Sequence, residues 1–274
     1  MFTKDILNKL DLGLGVAEKD QMLDQHFLKT NVYHLLIKGE KDIILGTKGA
    51  GKSAIFRYVS QNYKNIEYFN NKEVISAVNL NNHPVFSVIK EKDNINETQF
   101  VALWKWYFFA LIANSIIKTS LYERNERLRE IEILLIRLNI PVDNDKPKKL
   151  FEYMANWFHR LANPSSIETG VSFDVATGNP EISFKIGYQD DGIVQTKDGT
   201  ISPDNALEKL DQFLRIVNHN IWLMVDRLDD AFNGISSIEY AAIRSLFRVY
   251  LEMGHLERIK LKIFRFFRSC REHL

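Results

Sequence analysis

The sequence predicts an α/β fold: one domain over residues 1–274, with a mainly parallel sheet flanked by helices, a helical insertion over 97–162 and a β-hairpin over 168–190. Three observations carry the prediction. Short apolar runs at 42–45, 221–225 and 261–267 read as buried strands, with helix-length segments between them. A glycine-rich loop follows the first run immediately. The second run ends in an aspartate, Asp226, where an open α/β sheet presents its strand ends to ligands.

In chain order, residues 1–40 read as mostly helical. Leu12 to Asp20 makes a turn into a helix, and 24–38 carries Phe27, Val32, Leu35 and Leu36 at roughly one-face spacing. Lys38-Gly39-Glu40-Lys41 turns the chain into the first strand. Then comes Gly46-Thr47-Lys48-Gly49-Ala50-Gly51-Lys52-Ser53, which fits G-x-x-x-x-G-K-[ST], the phosphate-binding P-loop. Its glycines let successive N–H groups turn inward toward an anion, and the helix that begins near Lys52 adds its positive dipole end. The motif assigns Lys52 to the β- and γ-phosphates of ATP and the Ser53 hydroxyl to Mg²⁺. Lys48 adds positive charge inside the loop or points to solvent.

Turn-rich stretches follow at Asn70-Asn71 and at 79–84, with a strand expected over 85–89. Phe100, Leu103, Trp104, Tyr107, Phe108, Leu111 and Ile112 share helical spacing and read as core rather than as a stacking platform. A charged helix is expected over 122–138, a loop over 141–147, and an amphipathic helix over 149–162. Val171, Phe173 and Val175 alternate, as do Ile182, Phe184, Ile186 and Tyr188, with Thr177-Gly178-Asn179-Pro180 between them; this is the hairpin. Asp190-Asp191-Gly192 is a polar turn, without the remaining ligands of a calcium loop.

At the end of the run Ile221 to Val225, Asp226 is placed to hold Mg²⁺ through water. Arg227 follows directly, so Asp229 or Asp230 would have to orient the attacking water; the alternative is that both only cap the next helix. A helix over 239–253, stopped by Gly254, and a last strand over 261–267 bring the chain to Arg268.

Composition narrows the function classes. The net charge of +1 gives no electrostatic case for a nucleic-acid or membrane partner, so nucleic acid stays open without support from charge. The single cysteine, Cys270, excludes an internal disulfide framework and a cysteine-rich metal site, and it fits a cytoplasmic location. The N-terminus has no apolar signal core. The most membrane-like stretch, 100–117, contains Lys105 and Asn114 and reads as a buried helix.

The segments Ile43 to Ala54 and Val225-Asp226-Arg227-Leu228-Asp229-Asp230 resemble a family of bacterial P-loop ATPases of the ASCE division, RecA/AAA-like and more distantly similar to the KAP and STAND nucleoside triphosphatases. Residues 14–20, the Trp104 helix and the hairpin look similar too. The resemblance implies Mg²⁺-dependent ATP binding, slow hydrolysis as a conformational switch, and a role in bacterial antiphage defence. It also implies that an arginine completes the site. Arg268 is the candidate within the chain; otherwise a neighbouring subunit supplies the group, and a homo-oligomer or a partner protein is expected. The departure is at the C-terminus. No lid or partner domain follows Arg268, which reads as a truncated chain or the frameshifted end of a longer gene. Two other functions stay open. A small-molecule kinase would transfer phosphate to an acceptor without releasing it free, and a nucleotide-binding scaffold would show negligible turnover.

Overall fold

The computed structural model describes residues 23–47, 49–77, 97–119, 125–138, 140, 150, 153, 171–173, 180–190, 193–226 and 236–266. The strand expected over 85–89 and nearly all of the helix expected over 149–162 lie outside these residues. The elements are α1 (Leu23–His26), α2 (Asn31–Ile37), β1 (Ile43–Gly46), α3 (Lys52–Asn62), β2 (Lys72–Ser76), α4 (Glu97–Lys118), α5 (Glu126–Arg137), β3 (Val171–Phe173), β4 (Pro180–Asp190), β5 (Ile193–Ile201), α6 (Pro203–Ile216), β6 (Asn220–Val225), α7 (Ser236–Glu252) and β7 (Ile259–Phe266).

Four strands form an all-parallel sheet in the order β1-β7-β6-β2. Parallel strands need covering on both faces, and alternation along β6 and β7 meets that need. Ile221, Leu223 and Val225 join Ile259, Leu261 and Ile263 in one core, packed with α4, α6 and α7. Trp222, Met224 and Phe264 point the other way, into a smaller core with Ile55 and Val59 of α3 and with Tyr33 and Leu36 of α2.

The long aromatic helix is buried on all sides. Trp104, Trp106, Phe108 and Phe109 are each at most 1% exposed, and each such burial is worth about 1.5–3 kcal/mol. Two of its polar side chains bond within the core: the Trp104 indole N–H donates to the Ala242 carbonyl at 3.0 Å, and the Asn114 amide to the Ala110 carbonyl at 2.9 Å. The buried Lys105 ammonium pairs with Asp204 at 2.5 Å and Glu252 at 2.6 Å, tying α4 to α6 and α7. This is the one helix among the described residues that is long and apolar enough to cross a membrane. Of its most apolar window, 89% is buried inside the protein, so that surface is used by the core.

Three differences from the sequence reading have local causes. The helix expected over 24–38 is two short helices, because the Thr30 side chain accepts from the Tyr33 N–H and starts α2 afresh. Helix α6 begins with Ser202 as N-cap and Pro203 in the first turn, both start signals, and buries Leu207, Leu210, Phe213 and Leu214. Strand β5 pairs with β4 along its whole length, from Ile182↔Ile201 to Asp190↔Ile193, so the hairpin β3–β4 belongs to a three-stranded antiparallel sheet.

Candidate functional site

The glycine loop opens at the C-terminal end of β1 and closes into α3. Gly49 and Gly51 hold φ of +82° and +78°, a left-handed backbone that other residues adopt at a cost of about 1–2 kcal/mol. A Cβ on either would meet no neighbouring atom within 4 Å, so dihedral strain alone demands glycine there. Gly46 has the opposite reason: its Cβ would stand 3.2 Å from that of Ala50. The Ala50 N–H donates to the Thr47 carbonyl at 3.2 Å and draws the loop into a turn.

Gly51 is the N-cap of α3, and no side chain caps that end. The first backbone N–H groups of an 11-residue helix therefore face the loop with their partial positive charge. The Lys52 ammonium folds back over the loop, donating to the Gly46 carbonyl at 2.9 Å and the Thr47 carbonyl at 2.8 Å. Ser53, half-buried, follows in the first turn.

Asp226 leaves the sheet on the same edge. Val225, Ile263 and Ile43 are level across β6, β7 and β1, so Asp226 stands two strand spacings from the loop strand, roughly 10 Å. It is 6% exposed, an unusual setting for a carboxylate. Between the two, β7 pairs with β1 up to Gly46↔Phe266.

The structure brings Gly46, Thr47, Gly49, Ala50, Gly51, Lys52 and Ser53 together as one loop, with Asp226 on the same sheet edge. Lys48, Arg227, Asp229, Asp230 and Arg268 lie outside the described residues. Among the described residues, no three His, Cys, Asp or Glu side chains gather into a metal cage. One hydroxyl and one carboxylate suit Mg²⁺, which takes one or two protein oxygens and fills its octahedron with water and phosphate.

Sequence did not assign one set of residues beside the loop to the site, reading Phe27 and Val32 only as a helix face. His26, Phe27, Leu28, Thr30 and Val32 line a cavity of about 430 Å³ together with the loop. The available signal was Thr30 followed by Asn31, a cap that breaks the apparent helix and turns its apolar residues toward the loop.

Fold and site together define a helix-flanked parallel α/β protein with a glycine loop and a buried aspartate on one sheet edge. No protein-family model, curated protein or solved structure matches the chain.

Proposed function

We propose that the chain binds ATP with Mg²⁺ at residues 46–53 and hydrolyses it slowly, acting as a conformational switch. One observation carries the reading: a glycine turn with two positive-φ residues feeds an uncapped helix N-terminus, while a buried carboxylate stands two strands away on the same edge. An uncapped N-terminus leaves orphan donors that a phosphate would satisfy.

When bound, Mg²⁺ would supply neutralisation of the charge that develops on the transferring phosphoryl group. Ser53 and Asp226 are the groups on this chain that would hold it. The backbone N–H groups at the start of α3 hold phosphate oxygens, and Lys52 exchanges its two loop carbonyls for the β- and γ-phosphates. Asp229 or Asp230 orients water, and Arg268 or an arginine of a second copy offsets charge at the far side. A site completed in trans makes turnover per subunit rise with protein concentration.

The test is equilibrium binding of ATP with and without Mg²⁺, read beside phosphate release, for the native chain and Asp226→Asn. The native chain binds ATP more tightly with Mg²⁺ and releases phosphate slowly, and Asp226→Asn loses most of the Mg²⁺ dependence. An absence of ATP binding under both conditions overturns the reading, and binding without any phosphate release leaves only a scaffold.

A further inference from the structure

The cavity beside the glycine loop has two unlike walls. Ala50, Gly51, Lys52 and Ala54 form the wall that belongs to the loop and α3. The facing wall comes from the N-terminal segment, chiefly Phe27, Leu28 and Val32, with Leu45 of β1 beside it. Leu28, Val32 and Leu45 are 77%, 44% and 54% exposed. Large apolar side chains left in water around one hollow, next to a loop built for an anion, mark a site for an apolar body attached to a charged one.

The wall is held in place before any ligand arrives. The Phe27 ring stacks on Tyr58 of α3 at 4.0 Å and 8°, and it meets Tyr33 edge-on at 5.4 Å. Thr30 caps α2 through its own side chain. The volume of about 430 Å³ falls within the range of roughly 300–1,000 Å³ usual for small-molecule sites.

Polar groups on the walls are few. Among the described lining residues only His26, Thr30 and Lys52 carry polar side chains, and none carries a carboxylate or an amide. The Thr30 hydroxyl oxygen is engaged with the Tyr33 N–H, and the Lys52 ammonium rests on loop carbonyls. Strong discrimination between ligands of similar shape requires hydrogen bonds to their polar edges; apolar walls discriminate weakly.

We propose that this cavity receives the base of the nucleotide whose phosphates the loop holds, and that it reads the base by shape and apolar contact rather than by its hydrogen-bonding edge. The site then takes purine nucleoside triphosphates with little choice between adenine and guanine. The inference rests on the phosphate-binding reading of residues 46–53.

The experiment is calorimetric titration of the full chain with ATP, GTP and tripolyphosphate, each with Mg²⁺, repeated on the double variant Leu28→Ser/Val32→Ser. Both positions are exposed enough for serine to be tolerated, and a thermal melt checks the fold. ATP and GTP bind within about fivefold of each other, and both bind at least about tenfold more tightly than tripolyphosphate. The double variant loses at least about fivefold in ATP affinity and leaves tripolyphosphate unchanged.

Equal binding of ATP and tripolyphosphate overturns the base compartment while leaving the phosphate site standing. So does an ATP preference over GTP beyond about a hundredfold, the mark of edge reading. Unchanged ATP affinity in a folded double variant rejects the cavity walls directly. If neither ATP nor tripolyphosphate binds, the phosphate site fails and the compartment falls with it.

Discussion

Two lysines served by the same sheet are held in opposite ways. Lys52, at the loop edge, rests its ammonium on two peptide carbonyls. Lys262, at the level where β1 begins, is 1% exposed and hydrogen-bonded to the Asp42 carboxylate, with the Trp222 ring centre 4.0 Å away. Tyr250 donates its hydroxyl to the other Asp42 oxygen at 3.1 Å. Burial pushes the Lys262 pKa below the ordinary lysine value, and the Asp42 contact opposes it. Both lysines donate charge-assisted hydrogen bonds, but only the carboxylate beside Lys262 adds a full opposite charge. On the proposed reading, a phosphate would replace loop carbonyls as a partner of Lys52, whereas Lys262 already holds a carboxylate. The partner, rather than the residue type, separates a lysine that can change hands from one that locks the fold.

The comparison breaks most visibly at Lys262. Replacing it with methionine leaves Asp42 without its cation, and breaking a buried pair costs several kcal/mol. Because the Asp42 side chain stays 29% exposed, the expected loss is about 2–4 kcal/mol in urea unfolding. ATP affinity of the folded variant stays unchanged. A variant as stable as the native chain would mean that the pair is ornamental.

Lys52→Ala inverts the pattern. Stability falls by about 1 kcal/mol, less than at Lys262, since the half-buried side chain gives up its two bonds to loop carbonyls. Nucleotide affinity or turnover falls at least about tenfold, which is roughly 1.4 kcal/mol. Retained affinity and turnover in this variant would remove the loop from the function.

Gly51→Ala sharpens the contrast within the loop itself. The position has room for a methyl group but not the right backbone, so unfolding should detect a loss of about 1 kcal/mol or slightly more. Phosphate affinity drops as well, because relief of the strain tilts the N–H groups of the helix start. No measurable loss would show that the loop relaxes freely.

The smallest expected effect is at His219, beside the start of β6. Burial lowers its pKa below 6.5, with Glu73, 4.0 Å away, pulling the other way. The unfolded chain then holds the proton more tightly than the folded one. The stability of neutral His219 is complete above about pH 6.5 and is lost as the pH falls through the folded value. His219→Gln should make the decline in stability shallower as the pH falls below about 6.5. An unchanged slope would place that acid sensitivity elsewhere.

Much of the fold is written in local spacing. The β1–loop–α3 unit follows from an apolar run, five glycine-and-lysine positions and a helical repeat, all within 21 consecutive residues from Asp42 to Asn62. The α4 core helix follows from its long apolar repeat. Strand β2 was not legible: Lys72-Glu73-Val74-Ile75-Ser76 has no strong alternation, and it becomes a strand because β6 offers it a partner from Asn220 to Met224. Strand β5 carried a usable signal that the polar-turn reading passed over. Asp191-Gly192 is the composition that two-residue hairpin turns favour, and the ladder resumes at Ile193.

Sequence alone determined the residues of the loop, the aspartate that ends an apolar strand, and the helix-flanked parallel class. Each depends on chemistry between near neighbours, which spacing records. Tertiary structure decided that Asp226 stands two strands from the loop, that Lys262 meets a carboxylate 220 positions earlier in the chain, and that the segment before β1 folds back to wall a cavity. Those relations depend on strand order and on how the chain crosses between strands, and the many apolar patterns compatible with one strand order leave the others open until the two faces of the sheet are packed.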